Sequence, residues 1–140
     1  MNNLERFLTA QERDYKTALN EIKSGRKRSH WIWYIFPQLK ELGFSCNAQF
    51  YGIENLEEAK NYLAHPILGK RLIEISEALL NLPENNPAIV MGGSPDDLKL
   101  KSCMTLFAYA SGEKDSVFHK VLEKFFNGQT DVKTVNLLKK

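Results

Sequence analysis

The chain has 140 residues, of which 43% are hydrophobic and 26% are charged, and its formal net charge is +2. These values are typical of a globular protein, and the length suits one domain, residues 1–140, with a buried core. So small a charge does not favour nucleic-acid binding, which strengthens with the number of phosphates neutralised. No apolar run reaches the length of a signal peptide or a bilayer span, so we expect a cytoplasmic protein without membrane contact.

The cysteines and histidines show none of the spacings that are typical of metal sites. Cys46 and Cys103 form no CxxC pair, and His30, His65 and His119 form neither HxH nor HxxxH. The sequence therefore predicts no metal ion and no cofactor. We expect both thiols to be reduced and packed as small hydrophobic groups, His65 to cap a helix, and His119 to be structural.

Apolar residues at helical spacing occupy most of the chain. They predict helices over residues 3–23, 56–64, 66–81 and 95–110, a helix from Asp115 or Ser116 to residue 126, and a short last helix. The predicted N-caps are Asn2 or Asn3, Asn55, Ser94 and Asp131, and Pro66 and Pro95 suit a first helical turn. In the helix over 95–110 we expect Leu98, Met104, Leu106 and Phe107 to face the core.

The segment between the first two of these helices has a different character. Residues 31–36 predict a short helical turn with its aromatic side chains folded inward, which Pro37 ends. Residues 38–53 fit either a loop with extended pieces or a helical turn, and residues 88–91 predict a short turn. The fold class that follows is all-α, a single compact multi-helix domain with a short irregular or extended segment around 38–53.

Three stretches together carry a resemblance to a known family: residues 25–38 (GRKRSHWIWYIFPQ), 62–72 (YLAHPILGKRL) and 96–107 (DDLKLKSCMTLF). They resemble the bacterial family known as domain of unknown function 1810, sometimes labelled calpastatin-like, and the resemblance extends over nearly the whole chain. It implies a small, mostly helical cytoplasmic protein and no particular reaction. The inhibitory regions of calpastatin are disordered and poor in aromatic residues, whereas this composition suits a compact fold.

The first stretch combines basic, hydroxyl and aromatic side chains within a few residues. Arginine binds phosphate oxygens through two hydrogen bonds, lysine adds a point charge, and an indole can stack on a ring. Ligand-binding residues predicted here are Arg26, Lys27, Arg28, Ser29, Trp33 and Gln38. The alternatives stay open: a solvated basic loop, tryptophans that only fill the core, and a glutamine that only satisfies backbone groups.

The third stretch places polar side chains on one side of a predicted helix. Residues 98, 101, 102 and 105 share a stripe, because residues three and four apart are neighbours on a helix. Ligand-binding residues predicted here are Asp96, Lys99, Lys101, Ser102 and Thr105. Asp96 and Asp97 at the helix start can act as bases or bind a ribose diol, and helix capping is the alternative role.

These two stretches lead to the hypothesis of a polar pocket for a small anionic, phosphate- or nucleotide-bearing ligand. His30 and Asp97 are the catalytic residues if the protein also hydrolyses that ligand, because imidazole exchanges protons near neutral pH and a carboxylate can act as a base. The alternative is a non-catalytic protein–protein interaction module that contacts a partner, or a second copy, through exposed aromatic residues. Nucleic-acid binding ranks last, since it needs a continuous basic face.

Overall fold

The computed structural model describes residues 4–139 of the chain. In that range the chain forms α1 (Glu5–Lys23), α2 (Ile32–Ile35), a 3-10 turn (Lys40–Leu42), α3 (Cys46–Tyr51), α4 (Leu56–Ala64), α5 (Leu68–Leu80), α6 (Pro87–Val90), α7 (Asp96–Ser111), α8 (Val117–Phe126) and α9 (Val132–Leu138). The described residues contain no β-strand, and only an isolated parallel bridge joins Leu39 to Ile53. The predicted all-α fold is confirmed.

Several helix ends follow directly from the local sequence. The Asn55 side chain caps α4 by accepting the Glu58 N–H at 2.9 Å, and Asp131 caps α9 by accepting from the Thr134 N–H at 3.2 Å, as predicted. The ring of His65 caps the start of α5. The predicted Asn2 or Asn3 cap lies outside the described residues. His119 completes a capping box with Ser116 at the start of α8, which is a structural role.

Four expectations about single residues were wrong. Ser94 does not cap α7, because its hydroxyl donates to the Asp97 carboxylate at 2.7 Å instead of accepting from the backbone. Pro66 lies in a turn before α5, which begins two residues later. Leu98 is 57% exposed, because its side of α7 faces α9 across open space rather than the core. Cys46 is exposed at the start of α3, whereas Cys103 is buried as expected.

The core forms around α7, which packs against α4, α6, α8 and α9. From Leu100 to Ala108 every α7 side chain except Lys101 is buried. A helix with apolar residues on all sides is stable only inside a protein, so the other helices have to surround it. Aromatic side chains fill the space between them: Phe7, Trp31, Phe36, Tyr62, Phe107 and Phe118 are each at most 2% exposed.

Residues 38–53 contain both extended backbone and helical turns, which are the two local structures that the sequence allowed. The backbone pairs through the bridge at its two ends, and the 3-10 turn and α3 lie between them. Arg6 of α1 holds the segment by donating to the carbonyls of Phe50 and Gly52, each at 2.9 Å, and it pairs with Glu58 at 3.0 Å. A side chain at Gly52 would lie 2.4 Å from the Lys40 Cα, so only glycine allows this close approach.

Candidate functional site

The basic segment, defined as residues 26–30, wraps around one carboxylate of α1. The Oε1 atom of Glu21 accepts from the backbone N–H groups of Arg28 at 2.7 Å and Ser29 at 2.9 Å. The same atom accepts from the Trp31 indole N–H at 2.9 Å, and Oε2 accepts from the Ser29 hydroxyl at 2.5 Å. The hydroxyl of Ser29, a predicted ligand group, therefore donates its proton to Glu21.

These four hydrogen bonds keep Glu21 ionised. Burial alone would raise the pKa of its carboxyl, but the donors from Ser29, Arg28 and Trp31 outweigh that effect and lower the pKa to about 2. Glu21 was not among the predicted residues, because its partners follow seven to ten positions later and beyond the turn at Gly25. The available signal was the run Arg-Lys-Arg-Ser at residues 26–29, which begins five positions after a glutamate in the last turn of α1.

Lys27 joins the first predicted stretch to the third. Its ammonium group pairs with Asp96 of α7 at 2.8 Å, donates to the Ser29 carbonyl at 2.5 Å and lies 5.0 Å from the Trp31 ring centroid. Lys27 is buried, and its backbone N–H donates to the Val90 carbonyl at 2.7 Å. The two stretches are thus adjacent, and the charges of Lys27 and Asp96 largely neutralise each other.

Four more predicted residues lie at or near the surface around this ion pair. Arg26, Arg28 and His30 are exposed. Asp97 is partly buried, and its Oδ1 accepts from the Ser94 hydroxyl and from the Leu98 N–H, which are the contacts of a helix start. Neither His30 nor Asp97 lines either of the two cavities described below, and their catalytic roles stay predictions.

A narrow cavity, here called the Trp33 cavity, lies between α2, α3 and α7. It is lined by Ile32, Trp33, Phe36, Gln38, Ala48, Tyr51, Gly52 and Lys99. Its volume of about 10 Å³ holds roughly one water molecule. The Trp33 indole N–H is shielded from solvent and has no hydrogen-bond partner among the described residues, and the Lys99 ammonium lies 5.5 Å from the Trp33 ring centroid.

A larger open groove, here called the lysine groove, runs between the start of α7 and the start of α9. It is lined by Gln38, Leu42, Pro95, Leu98, Lys99, Lys101, Ser102, Asp131, Val132 and Lys133. Its volume of about 610 Å³ is within the range of small-molecule sites, roughly 300–1,000 Å³. Gln38, Lys99, Lys101 and Ser102 were all predicted as ligand-binding residues, and Gln38 and Lys99 also line the Trp33 cavity.

Polar contacts below the groove fix α9 against α7. The Asp131 Oδ2 atom accepts from the Ser102 hydroxyl at 3.1 Å and from the Thr134 hydroxyl at 2.6 Å. Thr105, which is fully buried, donates to the Lys101 carbonyl and accepts the Asp131 N–H at 2.9 Å. Ser102 and Thr105, predicted to bind ligand, thus position α9. Asp131 was predicted only as a cap, and Lys133 was not predicted.

The charges of the groove favour an anion. Lys99, Lys101 and Lys133 supply three positive charges and Asp131 one negative charge, which leaves a formal excess of +2. Within residues 4–139, Lys101 and Lys133 have no carboxylate within ion-pair distance, and Lys99 has only Asp96 at 3.9 Å. The Lys101 ammonium also lies 5.9 Å from the Phe126 ring centroid. Lysines on one concave surface with few carboxylates beside them attract phosphate and carboxylate groups. No helix in the described part of the chain is long and apolar enough to cross a bilayer.

The family model described as "Protein of unknown function (DUF1810)" matches residues 1–138. The chain is also similar to a solved structure, the conserved hypothetical protein Rv1873 from Mycobacterium tuberculosis, with 43% sequence identity and a TM-score of 0.93. The match covers 99% of this chain and 97% of the mycobacterial chain. No curated protein matches the chain.

Proposed function

The chain belongs to the DUF1810 family, as the sequence resemblance indicated, and we propose that it binds a small phosphate-bearing anion in the lysine groove. One observation carries the proposal. Gln38 comes from the first predicted stretch and Lys99 and Lys101 come from the third, and they line a single groove with Lys133. The pocket predicted from the first and third stretches is thus proposed to lie between α7 and α9, without the basic segment.

The groove offers the donors that a phosphate group requires. A phosphate carries at least one full negative charge and three acceptor oxygens, and lysine ammonium groups supply charge with three donors each. The Gln38 amide adds neutral donors beside Lys99. Asp131 opposes the anion, but two hydroxyl donors and the Thr134 N–H already engage its Oδ2 atom, which reduces its repulsion.

The proposal covers binding and not hydrolysis. Neither His30 nor Asp97 lines the lysine groove or the Trp33 cavity. A general base has to reach the reacting atom directly or through one water molecule. Within the groove Asp131 is the available carboxylate, and it caps α9, so the groove is a binding site in this proposal.

The experiment is calorimetric titration with inorganic phosphate and with phenyl phosphate at low ionic strength. The test variant is Lys101→Met/Lys133→Met, which removes two groove cations. The matched control is Lys16→Met/Lys60→Met, which removes two exposed cations from α1 and α4 and changes the net charge equally. We expect at least one of the anions to bind the wild type and the control, with affinity at least tenfold lower in the test variant.

Two outcomes contradict the proposal. If neither anion binds the wild type, the groove is not a phosphate site. If both double variants weaken binding equally, the attraction comes from the overall charge and not from the groove. Salt also separates the two cases, because a few contacts in a groove depend less on ionic strength than diffuse attraction does.

A second candidate function, the protein–protein interaction module, rests on the surface around α3. Phe44 is 93% exposed and Phe50 is 59% exposed, although aromatic side chains are ordinarily buried. We propose self-association through this surface, which is tested by sedimentation velocity of the wild type and of Phe44→Ser/Phe50→Ser. A wild-type dimer that becomes a monomer in the variant supports it, whereas a wild-type monomer at the highest attainable concentration refutes it.

A further inference from the structure

We infer that the ligand of the lysine groove carries an apolar group next to its phosphate, as an aryl or short alkyl phosphate monoester does. The inference rests on the proposed function and specifies its ligand. It comes from the juxtaposition of two exposed aliphatic side chains, Leu98 and Val132, with the three lysines on one concave surface. Inorganic phosphate would use only the cationic part of that surface.

The two aliphatic side chains are unusually exposed. Leu98 is 57% exposed and Val132 is 69% exposed, whereas most large apolar side chains of the described chain are buried in the core. A single exposed leucine needs no explanation, because folded proteins always leave some apolar surface in water. Here, however, both residues line the same groove, one from α7 and one from α9, and together they form an apolar patch.

The patch extends along the groove toward the 3-10 turn. Leu42 lines the groove and packs against the core cluster with its other side. Leu98, Leu42 and Val132 thus come from three different segments of the chain. An apolar group that covers them would remove their surface from water, and this burial favours binding in proportion to the area covered.

On both helices, the aliphatic residue of the patch is followed in the sequence by a lysine. Lys99 follows Leu98 directly, and Lys133 follows Val132 directly, while Lys101 lies one turn further along α7. A ligand that covers the aliphatic side chains therefore places its charged end among ammonium groups. The matching ligand has one anionic group and one compact apolar group within a volume of about 610 Å³.

The size and charge of the groove distinguish this ligand from a polymer. The formal excess of two positive charges suits the dianion of a phosphate monoester and is small for a polyanion such as nucleic acid. That excess already includes the negative charge of Asp131 on the α9 side. A phosphate monoester therefore matches both the positive charge and the apolar side chains of the groove.

The test compares the dissociation constants of phenyl phosphate and inorganic phosphate by calorimetry, with phenol as an uncharged probe. In the wild type we expect phenyl phosphate to bind about tenfold more tightly than inorganic phosphate, which is ~1.4 kcal/mol. In Leu98→Ser/Val132→Ser this ratio should fall to about two. Phenol alone should not bind, because the aromatic ring by itself makes few contacts.

The control is Ile67→Ser/Ile89→Ser, which removes two exposed aliphatic side chains outside the groove, and it should keep the wild-type ratio. A ratio near one in the wild type, with inorganic phosphate bound at the groove, overturns the inference and leaves the proposed function standing. A ratio that is the same in the groove variant and the wild type also overturns it. Failure of both anions to bind refutes the proposed function and this inference together.

Discussion

Glu21→Gln should destabilise the protein by an amount that depends on pH. The substitution keeps an oxygen acceptor for the Arg28, Ser29 and Trp31 N–H groups but removes the negative charge. The carboxyl has an ordinary pKa of 4.5 and a folded-state pKa of about 2, and at 1.36 kcal/mol per pKa unit this difference corresponds to about 3 kcal/mol. Because the side chain is partly exposed, we expect about 2 kcal/mol at pH 7.

The direction of the pH dependence follows from the lowered pKa. A carboxyl that ionises more readily in the folded state stabilises the fold at every pH above 4.5, and this contribution is lost as the pH falls from 4.5 toward 2. Glutamine does not titrate, so the difference between wild type and variant should shrink over that range. By pH 3 more than half of the difference should be gone.

The assay is urea denaturation of both proteins at several pH values between 7 and 3, followed by circular dichroism. Glu77→Gln on α5 is the control, because Glu77 is an exposed carboxylate on a helix surface, and it should cost less than about 0.5 kcal/mol at every pH. A constant cost of Glu21→Gln from pH 7 to pH 3 would refute the role assigned to the carboxylate charge.

Three further substitutions test the packing and the groove. Gly69→Ala should cost about 3 kcal/mol in urea denaturation, because a Cβ there would lie 1.9 Å from the Leu63 carbonyl oxygen of α4. Lys124→Met should cost about 2 kcal/mol in the same assay, because the ammonium group donates to three carbonyls at the end of α5. Asp131→Asn should keep the cap of α9 and raise the affinity for phenyl phosphate about threefold in calorimetry, because it removes a negative charge from the groove.

Each of these predictions has a contradicting result. A stable Gly69→Ala protein would mean that α4 and α5 separate without cost. Lys120→Met, a change at an exposed position on the same helix, is the control for Lys124→Met, and equal costs for the two would show that the carbonyl contacts add nothing. Unchanged or weaker phenyl phosphate binding by Asp131→Asn would place the anion away from α9.

The sequence predicted the features that depend on neighbouring residues. Helix periods, the Asn55 and Asp131 caps and the short α2 before Pro37 are all set within a few positions, and the structure contains each of them. The stripe of residues 98, 101, 102 and 105 was also recognised. The segment that packs against this stripe was not recognised, because the hydrogen bond between Asp131 and Thr105 joins positions that are 26 residues apart.

The wrong or missing predictions concern side chains whose surroundings are formed by residues far away in the sequence. Glu21 is on the polar side of α1 and resembles a solvated residue until the basic segment folds back onto it. Leu98 belongs to the apolar pattern of α7, yet α9 leaves it open to the groove, and Lys133 belongs to a short helix that showed only a packing pattern. The spacing of apolar residues along a sequence does not show which parts of two packed helices stay exposed to solvent.

The most direct test of the proposed site is a titration of the ¹⁵N-labelled protein with phenyl phosphate, followed by amide and indole N–H chemical shifts. If phenyl phosphate binds in the lysine groove, we expect chemical-shift changes at residues 98–102 and 131–134 and at the Trp33 indole beside Lys99. The Trp31 indole, which donates to Glu21, should stay unchanged and is an internal control. Shifts confined to residues 26–30 would place the anion on the basic segment instead and contradict the lysine groove.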